Sequence, residues 1–110
     1  MLESHEGPLL VPSLVLAEAA YLIGTRIGAD AEVMLAADLA DGNLFCEPVS
    51  AADWERIAEL TVLYHDMPLG MADASLIAAA ERSGITEVAT LDRRLAAVRP
   101  AHVDALTLLP

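Results

Sequence analysis

Short apolar runs alternate with longer segments of helical spacing along this chain, and glycine, proline or aspartate stands between most of them. The apolar runs predict strands at 9–11, 44–49, 85–91 and 105–109. The helical spacing predicts helices at 13–23, 29–40, 51–64 and 72–82. Because helices separate the strands, the pattern favours a parallel sheet covered on both faces in a single α/β domain that spans residues 1–110.

Local capping signals support three of these helices. Pro12-Ser13 precedes the first one, with Ser13 as the candidate N-cap. Ser50 and Asp53 have the spacing of a capping box, in which two side chains and two backbone N–H groups satisfy one another. Gly84 is placed to end the helix over 72–82.

Three acidic residues stand at positions where a metal site is expected. Asp73 falls in the opening turn of a helix, Asp92 directly follows a predicted strand, and Glu18 interrupts a helix that is otherwise apolar almost all round. Right-handed crossovers bring the carboxyl ends of parallel strands to one edge, so these three acids can converge there. The other interpretation makes Asp73 a first-turn acid, Asp92 a turn or cap residue, and Glu18 part of a narrow solvent stripe, bonded to Arg26 or to a neighbouring helix.

Composition narrows the possible partners. Seventeen acids and six basic residues give a net charge of −11, and every basic residue is arginine. A nucleic-acid substrate would therefore need metal ions, a few placed arginines or a basic partner to offset phosphate repulsion. Arg93 or Arg94 is a candidate phosphate contact, with surface solvation or helix capping as the other interpretation.

The remaining polar residues give weaker signals. Cys46 lies in an apolar run, so a buried free thiol in a reducing cytoplasm is expected. His65 and Asp66 fall in a loop and are expected to be exposed rather than ligands, and Arg56 is expected on a solvated helix face. No signal peptide, long apolar span, Gly-rich phosphate loop or Walker lysine is found, which points to a cytoplasmic protein and away from nucleotide hydrolysis.

Three motifs resemble those of the PIN domain, and within that family the VapC toxins of bacterial toxin–antitoxin pairs. They come in the family's order, and the resemblance covers nearly the whole chain; the motifs are Val11-Pro12-Ser13-Leu14-Val15-Leu16-Ala17-Glu18, Asp66-Met67-Pro68-Leu69-Gly70-Met71-Ala72-Asp73-Ala74-Ser75 and Ala89-Thr90-Leu91-Asp92-Arg93-Arg94. The resemblance implies a three-layer α/β/α fold with a mainly parallel sheet. It also implies an endoribonuclease that uses Mg²⁺ or Mn²⁺.

Site residues and partners follow from the same resemblance. Glu18, Asp73 and Asp92 resemble the family's metal-binding acids, and Thr90 resembles a small polar residue near that site; we take Thr90 and Arg93 as substrate-binding candidates. The implied partners are an RNA substrate, a cognate antitoxin with a basic segment, and a second copy of the chain in a homodimer.

One departure from the family pattern limits the prediction of activity. Family members begin with a strand that ends in a metal-binding aspartate, and that N-terminal strand is missing here, so we expect an N-terminally truncated domain. A catalytically inactive PIN-like module that binds an antitoxin or dimerises is therefore the alternative function. A receiver-like phospho-acceptor with Asp92 as acceptor is disfavoured, because such domains use a lysine and this chain has none.

Overall fold

The computed structural model describes residues 9–89, 95 and 97–109. It divides the chain into two compact units, Met1–Pro48 (unit 1) and Val49–Pro110 (unit 2). The predicted absence of a first strand concerns residues before Leu9, which lie outside the described part. The assignment of 1–110 to a single domain remains a prediction.

Unit 1 has the order β1 (Leu9–Pro12), α1 (Ser13–Arg26), α2 (Ala29–Ala40) and β2 (Leu44–Glu47). The two strands pair in parallel, with Leu9 opposite Leu44 and Pro12 opposite Glu47. A parallel pair needs a crossover connection, and the helical hairpin of α1 and α2 provides it. The prediction of α2 is exact, whereas Ser13 is the first residue of α1 and not its N-cap, since Pro12 takes that place.

Unit 2 has the order α3 (Ala51–Leu63), α4 (Met71–Ser83), β3 (Glu87–Ala89) and β4 (Thr107–Leu109). Strands β3 and β4 also pair in parallel, with Val88 opposite Leu108. The capping box predicted at the start of α3 is present: the Asp53 N–H donates to the Ser50 hydroxyl, and the Ser50 N–H donates to the Asp53 carboxylate. These two reciprocal hydrogen bonds fix the residue at which α3 begins.

The hydrophobic core found among the described residues lies in unit 2. It combines one face of α3, most of α4 and the segments that flank β3 and β4; its buried members are Ile57, Leu60, Leu69, Ala74, Ile77, Ala78, Ala80, Val88, Leu95, Val98 and Leu106. Small alanines on α4 allow α3 to pack closely against it. This packing fixes the rotation of α4 about its axis, and with it the direction of every side chain on that helix.

In unit 1, by contrast, no residue of α1 or α2 is buried. Both helices contact the strands of their own unit and each other, and apolar side chains such as Tyr21, Val33 and Met34 remain exposed. Between the helices runs a groove of about 360 Å³, lined mainly by Leu16, Leu35 and Leu39. None of the described helices is long and apolar enough to cross a bilayer.

Candidate metal and RNA site

Asp73 lies in the first turn of α4 and is half-buried. Gly70 is the N-cap in an extended conformation, and its carbonyl oxygen accepts a hydrogen bond of 2.9 Å from the N–H of Ala74. Because Ala74 and Ser75 are buried, α4 cannot rotate to carry Asp73 away from its position. The positive end of the helix dipole favours an ionised carboxylate there, and ionised oxygens are the ligands that Mg²⁺ and Mn²⁺ prefer.

The loop before α4 is fixed by the backbone of Tyr64, the C-cap of α3. The Tyr64 carbonyl oxygen accepts hydrogen bonds from the N–H groups of Met67 and Leu69, both at 3.1 Å. Leu69 is also buried in the core, so both ends of this loop are anchored. The position of Asp73 therefore depends on the core of unit 2 and not on the loop alone.

Glu18 lies on α1 of unit 1 and is exposed. It has no hydrogen bond or ion pair in the described part of the chain, and the expected bond to Arg26 is not formed. This exposure agrees with the interpretation that places Glu18 on a solvent stripe of α1. An exposed carboxylate on that helix carries no burial cost and remains available to a ligand.

The other site candidates, Thr90, Asp92 and Arg93, lie outside the described residues. Within residues 9–89, 95 and 97–109 there is no group of three acidic, histidine or cysteine side chains placed to hold a metal ion. The convergence of Glu18, Asp73 and Asp92 thus stays a prediction. Carboxylate oxygens as the donor set do fit a hard divalent cation.

Predictions about the residues outside the three-acid set had different outcomes. His65 and Asp66 are exposed by 76% and 94%, with 3.2 Å between Nε2 and Oδ1, so their placement in an exposed loop is confirmed. Cys46 is exposed, and its predicted burial is wrong. Its neighbour Phe45 is also 52% exposed, and since successive strand residues point to opposite faces, neither face of β2 is fully covered at this point.

Sequence reasoning missed two ion pairs that join α3 to α4. Arg56, predicted on a solvated face, is half-buried and pairs with Glu81, while Arg82 donates to the buried Asp53 at 3.1 Å. The hydrogen bonds that Arg56 donates to Glu81 hold the pKa of Arg56 above its ordinary value. The partners stand 25 and 29 residues apart, so no local pattern in the sequence indicates them.

Comparison with known proteins identifies the family. A model of the PIN domain matches residues 2–100. The chain belongs to the PIN-domain family. Over 110 residues it is 36% identical to the ribonuclease VapC26 of Mycobacterium tuberculosis, a match that covers 99% of this chain and 82% of that protein.

A solved structure supports the same assignment. The fold resembles the crystal structure of Mycobacterium tuberculosis VapC20, a toxin that cleaves the sarcin–ricin loop, with a TM-score of 0.68 and 26% identity. The match spans 77% of this chain and 65% of VapC20. The VapC-like PIN family and the α/β/α fold class, both predicted from the sequence, are thereby confirmed.

Proposed function

We propose that this chain is a divalent-metal-dependent endoribonuclease of the VapC toxin type, which hydrolyses RNA phosphodiester bonds at an acidic site. The observation that carries the proposal is the position of Asp73, half-buried in the first turn of α4 and held there by the core of unit 2. Support for the nuclease class comes from the PIN-domain match and from the relative VapC26, a ribonuclease.

Each candidate site residue has a proposed role in this reaction. Asp73 and Asp92 would hold the cation directly through carboxylate oxygens, and Glu18 would hold it through a water molecule or take the proton from the attacking water. When bound, Mg²⁺ or Mn²⁺ supplies Lewis-acid chemistry at the scissile phosphate. The hydroxyl of Thr90 and the guanidinium of Arg93 orient the RNA, since arginine binds phosphate through paired N–H donors.

Cleavage of total bacterial RNA in Mn²⁺ tests the proposal. Wild-type protein should cleave, and Asp73→Asn, which keeps the size of the side chain, should reduce the rate by at least about 100-fold. Asp66→Asn is the matched control, because Asp66 is an exposed acid seven positions earlier in the same motif. Equal rates for wild type and Asp73→Asn would remove Asp73 from the site, and a wild-type protein without cleavage would contradict the proposed activity.

The partners we propose are a cognate antitoxin in the cytoplasm and a second copy of the chain. The groove between α1 and α2 is apolar along its floor and carries the Glu32 carboxylate, so it suits an antitoxin segment that is apolar with a basic residue. The strongly negative net charge of the chain also favours a partner with basic residues. Co-purification with the co-expressed antitoxin should be lost for Leu35→Asp but kept for Val33→Asp, which lies on α2 outside the groove.

Sedimentation tests the proposed homodimer. We expect a mass of twice 11.6 kDa in the absence of antitoxin. A monomer at every concentration would contradict the dimer and leave the nuclease proposal to the cleavage assay.

A further inference from the structure

Arginines are scarce in this chain, and the structure shows how those it describes are used. Arg56 and Arg82 are held in ion pairs between α3 and α4. Arg26 falls in the last turn of α1, where a cation stabilises the negative end of the helix dipole. Arg99, outside any helix or strand, has neither role.

The backbone of Arg99 is fixed at three points. Val98 before it is fully buried, and Pro100 after it is buried. The N–H of Arg99 itself donates to the hydroxyl of Tyr64 at 2.9 Å. Its side chain is nevertheless exposed, and within the described part of the molecule the guanidinium has no hydrogen bond or ion pair.

Three hydrogen bonds hold this segment within unit 2. The Ala101 N–H donates to Glu81, near the C-terminal end of α4, and Nε2 of His102 donates to the carbonyl oxygen of Ile85, just beyond that end. The N–H of Arg99 donates instead to the side-chain hydroxyl of Tyr64, the C-cap of α3. The segment 99–102 is thus bonded to the end of α3 and to the C-terminal end of α4.

We propose that Arg99 binds a backbone phosphate of the RNA on unit 2, the unit that also carries Asp73. The inference rests on the proposed function and adds a substrate-binding residue to it. A net charge of −11 repels RNA, so a guanidinium that has no partner among the described residues of its unit is a strong local attraction. Because the backbone of Arg99 is already fixed, phosphate binding orders only its side chain and costs no further backbone entropy.

RNA binding in Ca²⁺, over a series of KCl concentrations, tests Arg99 separately from cleavage. The probe is end-labelled total bacterial RNA, and the variants are Arg99→Gln, Arg99→Lys and the control Arg26→Gln, which removes an exposed arginine from unit 1. Arg99→Gln should bind about tenfold more weakly at low salt. The slope of log K against log[KCl] should become shallower by about 0.7, the value for one phosphate contact on a single strand.

The controls separate a phosphate contact from a structural role. Arg99→Lys should keep the salt slope and lose part of the affinity, while Arg26→Gln should bind as wild type, and all variants should melt at the same temperature. An Arg99→Gln variant with wild-type affinity and slope would overturn the inference, even if the wild-type protein cleaves RNA. Weaker binding by Arg99→Gln together with a wild type that never cleaves would support Arg99 and reject the nuclease.

Discussion

Arg56 on α3 and Glu81 on α4 form a two-point ion pair, in which the Nε–Oε1 and Nη2–Oε2 distances are both 2.9 Å. The two side chains are only 26% and 12% exposed. Oε2 of Glu81 also accepts the N–H of Ala101 at 2.8 Å, so one carboxylate joins α3, α4 and the segment after β3. Paired donors of this kind are stronger and more directional than a single charged contact.

Replacing Glu81 by glutamine should destabilise unit 2. An amide at this position has only one acceptor oxygen, so it cannot accept from both arms of the Arg56 fork and from Ala101 at once. At least one N–H donor of Arg56 or Ala101 therefore loses its carboxylate acceptor. We expect the free energy of unfolding in urea to fall by about 1–2 kcal/mol. Glu59→Gln is the matched control: Glu59 also bonds Arg56 but is 67% exposed, and its replacement should cost no more than about 0.5 kcal/mol. Equal losses for the two variants would contradict this account.

Acid should destabilise the protein through Asp53 and Glu81. Burial raises the pKa of Asp53, but hydrogen bonds from Arg82 and Ser50 and the Arg82 charge outweigh it and hold that pKa below its ordinary value. Burial also raises the pKa of Glu81, but the hydrogen bonds from Arg56 and Ala101 outweigh it, so this pKa lies below its ordinary value. A carboxyl whose folded-state pKa is lowered stabilises the protein above its unfolded pKa, and this contribution is lost as the pH falls through the folded value.

The measurement is the free energy of unfolding between pH 6 and pH 2. We expect it to decrease below about pH 4.5, the ordinary pKa of glutamate, and to continue falling below 3.8, that of aspartate. In the double variant Asp53→Asn/Glu81→Gln this decrease should be markedly shallower. An unchanged pH profile in the double variant would assign the acid sensitivity to other groups.

Ser50→Ala removes half of the capping box at the start of α3. The loss of the hydroxyl leaves the Asp53 N–H without its acceptor, and we expect about 1 kcal/mol less stability, within the range of about 0.5–2 kcal/mol found for such caps. Ser83→Ala is the comparison, since Ser83 is the exposed last residue of α4. If both serine variants unfold at the same urea concentration as wild type, the cap does not stabilise α3.

Local features of the fold could be predicted because their causes lie within a few residues. The capping box of Ser50 and Asp53 uses atoms three positions apart. Gly84 ends α4 at φ +72°, a left-handed conformation that costs glycine least. The first-turn position of Asp73 follows in the same way from Gly70 and the alanine-rich run after it.

Burial and long-range pairing could not be read in the same way. Cys46 lies in an apolar run, yet its exposure depends on which faces of β2 are covered, and that is a property of the packing. The charged surroundings of Arg56 predict a solvated face, but its partner Glu81 comes from another helix. The helix around Glu18 is apolar almost all round, yet α1 has no buried residue, because burial depends on what packs against the helix.

The central claim is that three distant acids hold one cation. Titration of Mn²⁺ into the protein tests it most directly, and the readout is the heat released or the Mn²⁺ paramagnetic signal. Asp73→Asn, Asp92→Asn and Glu18→Gln should each weaken Mn²⁺ binding by at least about tenfold, with one site in the wild type, while Asp66→Asn and Glu59→Gln bind as wild type. Wild-type affinity in any of the three variants would remove that acid from the site, and wild-type affinity in all three would contradict the metal centre on which the nuclease proposal rests.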